Sequence, residues 1–460
     1  MSQQLPPALL ASLQTVNGFD EAAFVKIHVS GEQITSVRLN PKRIFNIQHA
    51  IFNVQGRVPW CADGYYLSER PSFTLDPLFH AGAYYVQEAS SMFLEEAVKQ
   101  TCDLSKPLKV LDLCAAPGGK STLLQSLISN ESMLVSNEVI KTRVNILSEN
   151  ITKWGAKNVV VTNNDPKDFH RLPEYFDVII IDAPCSGSGL FRKDPAAITE
   201  WSIDNVALCS QRQQRILADI LPSLKPGGIL IYSTCSYSEE EDESICEWLV
   251  SHFPHPVSGI KLQIKKEWNI VETISEKHNS FGYRFYPDKV KGEGFFIAAF
   301  KKEYGEHQFK EINLKNKLVL VNKAEKELLI PLVNNAASLS FFKWMDDIIA
   351  VPENLLNDVF ILQSSLYLKK AGVNIGSIIR NELIPGHEFA LSNLATNKMI
   401  SIEADLETAL QYLRRADIHI ETNHKGWALL KYENLSLGWI KILPNRINNY
   451  YPKDWRILNK

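Results

Sequence analysis

The chain has 460 residues, 45% of them hydrophobic and 22% charged, the balance of a globular protein and not of a disordered or fibrous one. At that length a single core is not enough, and roughly two to four domains are expected. Lysine and arginine total 49 against 52 acids, a net charge of −3, so the chain is no polycation and any contact with nucleic acid must run through local basic faces. The first residues carry no cationic segment followed by an apolar run, so no secretory leader is expected. Apolar runs such as 178–181 are far too short to span a bilayer, and no membrane role is expected. The seven cysteines are scattered without a C-x-x-C pair, which argues against a structural zinc site, any other metal centre and a disulfide framework. A reducing, cytoplasmic setting with free thiols fits this pattern.

Residues 1–100 read as a small α+β domain. Helical spacing covers 19–29, and 36–40 is a short strand stopped by Pro41. Residues 82–92 are rich in tyrosine and small polar groups and lead into a helix through Ala97; their spacing alone suggests only a connecting segment. From 101 to 302 strands and helices alternate. Strands are expected at 108–113, 133–136, 159–162, 178–181 and 229–232. Helices are expected from Ser121, over 141–154 with a stop at Gly155, and from about Ile203 to Leu224. This alternation specifies an α/β domain with a doubly wound, parallel, Rossmann-like sheet. Segments 270–274 and 294–300 could add edge strands, the second antiparallel. A stretch rich in lysine and glutamate over 303–330 marks a boundary, so 303–385 is expected to be a linker and middle α/β region and 386–460 a separate C-terminal domain.

The last twenty residues hold Lys441, Arg446, Lys453, Arg456 and Lys460 against one acid, Asp454, with Tyr450, Tyr451 and Trp455 interleaved. Basic residues alternating with aromatics suit phosphate contact and base stacking, so Arg446, Lys453 and Arg456 are candidate RNA contacts; a solvated surface with a few core tyrosines is the competing reading.

The loop Cys114-Ala115-Ala116-Pro117-Gly118-Gly119-Lys120 between the first strand and helix invites two readings. Gly119-Lys120-Ser121 matches the end of a P-loop, and the strand before Asp182 resembles a magnesium-holding one, which would make the chain an ATPase. A P-loop, however, needs glycine where Cys114 stands. The other reading is a nucleoside pocket. Small residues and glycines let a ligand approach the backbone, and the helix-start amides with Lys120 can hold a carboxylate. Glu138, past the second strand, is placed to grip ribose hydroxyls, and Asp165, past the third, to accept from an adenine amino group. Each acid alone is more simply a solvated loop residue. Together they describe a site for an adenosine bearing an amino-acid carboxylate, S-adenosylmethionine.

Two thiols follow adjacent strands: Cys185 in Asp182-Ala183-Pro184-Cys185 and Cys235 in Ser233-Thr234-Cys235. Either could simply pack. Cys61, Cys102, Cys209 and Cys246 are read as packing residues, Cys114 as a backbone contributor, and the acids 239–243 as a helix start favoured by the helix dipole. The loop 112–122, the segment 182–189 and Tyr232-Ser233-Thr234-Cys235-Ser236, together with 84–92, 284–287 and 292–296, resemble the motif set of the RNA 5-methylcytosine methyltransferases of the Sun/RsmB/RsmF family. Lys370-Ala371-Gly372, Lys425-Gly426-Trp427 and 448–453 resemble the RsmF branch. The resemblance implies a methyltransferase domain with a PUA-like, RNA-binding C-terminal domain, S-adenosylmethionine as cofactor, and a small-subunit ribosomal RNA cytosine as target. It implies Cys235 as the nucleophile toward cytosine C6, Cys185 as the group assisting release, and Asp182 as the residue that hydrogen-bonds the ring and touches the cofactor. A monomer that binds RNA is expected. A non-catalytic RNA-binding scaffold is disfavoured because both thiols and all the pocket acids occur together.

Overall fold

The computed structural model describes residues 4–253, 257–275, 279–303 and 318–458; Lys460 and half of the lysine- and glutamate-rich stretch lie outside them. A ten-stranded sheet organises the fold. Its parallel part consists of β1 (Lys109–Asp112), β2 (Met133–Asn137), β3 (Val159–Thr162), β4 (Phe176–Asp182) and β5 (Leu224–Thr234). The chain then adds β6 (Val257–Ile260), β7 (Val271–Ser275), β8 (Ser280–Phe285) and β9 (Phe295–Lys302), and, much later, β10 (Leu368–Ala371). The order across the sheet is β7-β8-β9-β5-β4-β1-β2-β3-β10, with β6 also paired to β9.

The five parallel strands stand where their apolar runs predict. Two differences have physical reasons. β9 is antiparallel to β5 as expected, but it is interior and not an edge, because β8, whose mixed sequence hid it, covers its other side. β5 begins at Leu224 and not after Gly228; Leu224 pairs with Phe176, the Lys-Pro-Gly-Gly segment with its left-handed Gly227 (φ +76°) bulges out, and pairing with β4 resumes at Ile229 opposite Val178.

Both faces of the sheet are buried, which is why its strands read as unbroken apolar runs. Val110, Leu134, Val161, Ile180 and Ile231 pack with Leu123 and Leu124 of α1 (Gly119–Leu127) and with Val144, Leu147 and Ile151 of α2 (Lys141–Trp154). Leu111, Val135, Val160, Ile179 and Leu230 face the other way, onto Ile216 and Leu217 of α3 (Ile203–Ile220) and Ile245 and Leu249 of α4 (Glu243–His252). Each fully buried side chain of this kind contributes about 1.5–3 kcal/mol. The same second core takes in Phe342, Ile349, Val351, Leu355, Val359 and Leu362, so residues 339–366 cover part of that face. This middle region carries its own five-stranded sheet and then hands β10 to the edge of β3, antiparallel, with Leu368 opposite Thr162 and Ala371 opposite Val160.

The two end regions each form a four-stranded sheet. Their apolar sides share one core: Val37, Phe52, Leu78 and Tyr84 lie with Tyr412, Leu430, Ile440, Tyr451 and Ile457. Tyr451 is therefore a core residue and not a base-stacking platform. No helix among the described residues is long and apolar enough to cross a membrane.

Candidate active site

From β1 the chain winds outward through β2 and β3, then returns to add β4 and β5 on the other flank. The direction reverses between β1 and β4, and a crevice opens there beyond their carboxyl ends. Gly118, left-handed at φ +115°, turns the chain from the β1 loop into α1. A cavity of about 180 Å³ lies at this point, lined by Cys114, Ala115, Ala116, Pro117, Gly119, Lys120 and Asp182. Its remaining walls are Tyr85, Val86, Gln87, Glu88 and Ser91. Spacing offered no signal for that last group. They reach the cavity because the strand Tyr84–Val86 pairs with Ser36–Leu39 in the N-terminal sheet and ends against the start of α1, where a side chain on Gly119 would meet Tyr85 and Gln87.

The Lys120 ammonium pairs with Asp182 Oδ2 at 2.7 Å and lies over the Phe295 ring at 5.1 Å. Ser233 Oγ donates to the other oxygen, Asp182 Oδ1, at 2.9 Å, tying the ends of β4 and β5 together. Glu138 is buried just past β2; Oε1 accepts from Ile140 N at 2.9 Å and fixes the start of α2, Oε2 pairs with the Arg143 guanidinium at 3.6 Å, and the side chain is not among the cavity-lining residues. Asp112, at the end of β1, accepts from Ser121 Oγ at 2.7 Å, its Oδ1 has no hydrogen-bond partner among the described residues, and burial raises its carboxyl to about 7. Asp165 follows β3, but its carboxylate accepts from Lys167 N and caps the turn Pro166–Arg171; it is not among the cavity-lining residues.

Past the tips of β4 and β5 the two thiols meet, with Cys185 Sγ 3.0 Å from Cys235 Sγ. Both are half-buried and free. Hydrogen bonding to Cys235, then desolvation, pushes the Cys185 thiol well above its ordinary range. Gly189 N donates to Cys235 O at 2.8 Å, and a Cβ on Gly189 would collide with that carbonyl and with Gly294 O, which explains glycine there. Cys61, Cys209 and Cys246 are buried, and Cys102 is half-buried.

Arg446, on the last strand of the C-terminal sheet, and Lys453 and Arg456, on the turn that follows it, are exposed. Near Arg446, Lys441 lies over the Trp427 ring, and Tyr450 packs on Trp427 with ring centres 4.5 Å apart. Trp455 instead packs on His387.

Family models match three consecutive parts of the chain: the N-terminal domain of 16S rRNA methyltransferase RsmF over residues 5–89, 16S rRNA methyltransferase RsmB/F over 100–301, and the methyltransferase RsmF PUA domain over 400–457. A ribosomal RNA small subunit methyltransferase F from Shewanella woodyi is 30% identical over 86% of this chain and 84% of its own. The chain belongs to the ribosomal RNA small subunit methyltransferase F family. The protein of that name from Aeromonas salmonicida is 29% identical over 94% of this chain and 95% of its own. Among solved structures, a methyltransferase homolog from Pyrococcus horikoshii is 31% identical, with a TM-score of 0.51 over 65% of this chain and all of the other. The structure of NSun6 from the same organism with SFG shares the fold, with a TM-score of 0.53 at 18% identity.

The chain is thus an S-adenosylmethionine-dependent ribosomal RNA methyltransferase. The P-loop reading falls with that assignment, and the ion pair to Asp182 gives Lys120 its partner without a triphosphate. The crevice suits the cofactor chemically. It has a helix-start amide cluster and a cation for the methionine carboxylate, and small residues against which a nucleoside can lie. Glu138 and Asp112 stand behind this lining, Glu138 Oε2 facing the Arg143 guanidinium at 3.6 Å and Asp112 Oδ1 buried without a hydrogen-bond partner among the described residues.

Proposed function

We propose that the protein methylates C5 of a cytosine in small-subunit ribosomal RNA through a covalent adduct between Cys235 and C6 of the ring. The observation that carries this reading is the pairing of the two thiols at 3.0 Å beyond the tips of β4 and β5, next to the Lys120–Asp182 pair. Cytosine C5 is a weak nucleophile. Addition of the Cys235 thiolate to C6 makes C5 enamine-like, and the ring then accepts a methyl cation equivalent at C5. S-adenosylmethionine supplies that methyl group as a sulfonium electrophile; Cys114 to Lys120 and Glu138 would hold it, with Asp165 on the adenine side. Asp182 would hydrogen-bond N3 or the exocyclic amine and so favour addition. Loss of the C5 proton to solvent water then re-forms the C5–C6 double bond, breaks the bond from C6 to the Cys235 sulfur, which leaves as a thiolate, and restores the aromatic ring. Cys185, whose sulfur lies 3.0 Å from that of Cys235, assists that release. A base within a duplex must be flipped out to reach the thiols. Arg446, Lys453 and Arg456 would hold RNA phosphates on the C-terminal domain.

The test is incubation of the purified protein with methyl-labelled S-adenosylmethionine and small-subunit ribosomal RNA, followed by digestion to nucleosides. Label in 5-methylcytidine is expected; label in any other nucleoside overturns the reading. Bisulfite sequencing of ribosomal RNA from cells with and without the gene then locates the base.

A further inference from the structure

We propose that Glu241 is a positioning residue that sets the spacing of the two thiols; the inference deepens the cytosine chemistry proposed above and rests on it for its functional meaning. Glu241 belongs to the acidic run 239–243, which by sequence looks like a solvated helix start. In the structure its side chain is fully buried. Oε1 accepts from Ser186 N at 2.7 Å and from Gln213 Nε2 at 3.3 Å, and Oε2 accepts from Ser186 Oγ at 2.5 Å and Ser236 Oγ at 2.6 Å. Ser186 and Ser236 are the residues immediately after Cys185 and Cys235. One carboxylate therefore grips both thiol-bearing loops one peptide beyond each sulfur. Gln213 extends the grip, since its amide also donates to Pro184 O, on the other side of Cys185.

The grip is anchored. Tyr232 Oη donates to Glu241 O at 2.7 Å, Glu241 N donates to Ser238 O at 3.1 Å, and the next residue, Asp242, accepts from Thr234 Oγ1 at 2.6 Å. Tyr232 and Thr234 lie in β5, so the carboxylate is referenced to the sheet and not to either loop. A carboxylate is suited to this place because it is acceptor-only and can take all four donors at once, and such charge-assisted bonds offset the cost of burying it. Glutamine keeps the length and one acceptor oxygen, and its NH₂ can donate to a serine hydroxyl that rotates. Aspartate is too short to reach both loops, and alanine supplies nothing.

Because addition to C6 and release both require a sulfur at the ring, a shift of about 1 Å in either loop should cost on the order of 10²-fold in turnover. The experiment reads sulfur spacing directly. Full-length wild type, Glu241→Gln, Glu241→Ala and Glu241→Asp are treated with dibromobimane, which becomes fluorescent when both its arms react with thiols; Cys185→Ala and Cys235→Ala serve as blanks. Methyl transfer and cofactor affinity are measured on the same preparations. Wild type and Glu241→Gln are expected to bridge Cys185 to Cys235. The Ala and Asp variants are expected to be alkylated singly and to lose roughly 10²-fold in kcat with cofactor affinity unchanged. Should Glu241→Ala fail to fold, the Ser186→Ala/Ser236→Ala double variant carries the test with the same expectation. Bridging at the wild-type rate in the Ala and Asp variants, or in the serine double variant, overturns the proposal, as does a Glu241→Gln enzyme no better than Glu241→Ala. If wild type yields no 5-methylcytidine while bridging still depends on Glu241, the cytosine chemistry fails and the clamp stands.

Discussion

Cys185 and Cys235 sit 3.0 Å apart yet serve different ends on the proposed chemistry. Replacing Cys235 with alanine removes the atom that adds to C6, so methyl transfer should fall by at least about 10³-fold and no RNA adduct should form. Cys185→Ala should leave addition intact and slow release, accumulating a protein–RNA adduct visible as a slower band on a denaturing gel. Identical behaviour of the two variants would refute the division of labour. Asp112 makes a separate, pH-dependent prediction. Its carboxyl is raised from 3.8 to about 7 by burial, so the folded chain keeps a proton that the unfolded chain releases. That contribution to stability is complete below the unfolded value and is lost as pH rises through about 7, at about 1.4 kcal/mol per pKa unit. Asp112→Asn should therefore gain stability relative to wild type as pH rises from about 5 to about 8, measured by denaturant unfolding at each pH.

At the level of elements, the decisive feature is β10. The Val159–Thr162 strand would otherwise leave an apolar, hydrogen-bonding edge exposed, a template for aggregation. The middle region supplies the missing neighbour, and the left-handed Gly372 (φ +52°) turns the chain back from it. A Cβ there would lie 2.3 Å from Ala350 O. Gly372→Ala should cost about 1–3 kcal/mol and speed hydrogen exchange at the β3 amides that face β10. A similar joint fixes the N-terminal domain: Asn40 Nδ2 donates to Gly82 O and to Trp154 O at the end of α2, which holds the strand bearing Tyr85 and Gln87 beside the cofactor loop.

Across the whole molecule, the chain's two ends close on each other. Val37, Leu78 and Tyr84 share a core with Leu430, Ile440 and Tyr451, so the N-terminal and PUA domains are one apolar unit. Removing residues 400–458 should lower Tm and expose apolar surface to a hydrophobic dye, whereas independent domains would leave the remainder unchanged. Because the net charge is −3, RNA affinity must come from local faces. Arg446→Ala combined with Lys453→Ala should weaken RNA binding and reduce the salt-dependence slope by about 2, with cofactor binding intact. An unchanged slope would remove this surface from the RNA path.

What the sequence determined by itself is local. Five strands buried on both faces announce themselves as short apolar runs, and a β–loop–α unit with two glycines announces a ligand site. Residues just past strand ends, Asp182, Cys185 and Cys235 among them, must then share one edge of the sheet, because parallel strands point the same way. The position of Asp165 could be read in this manner, and Asp165-Pro166 is itself a local turn-start signal; that its side chain does not line the cavity shows only in the fold. Tertiary structure alone decided which distant segments meet. Tyr85 and Gln87 joined the cofactor cavity through pairing of the N-terminal sheet, β10 paired with β3, a strand some two hundred residues earlier, and Tyr451 went into a core built from both ends. Glu241 is the clearest instance. Nothing in a run of acids separates the two that fold inward, Glu241 and Asp242, from the rest, and the partners of Glu241, Ser186, Gln213 and Ser236, lie on three elements whose convergence no local period encodes.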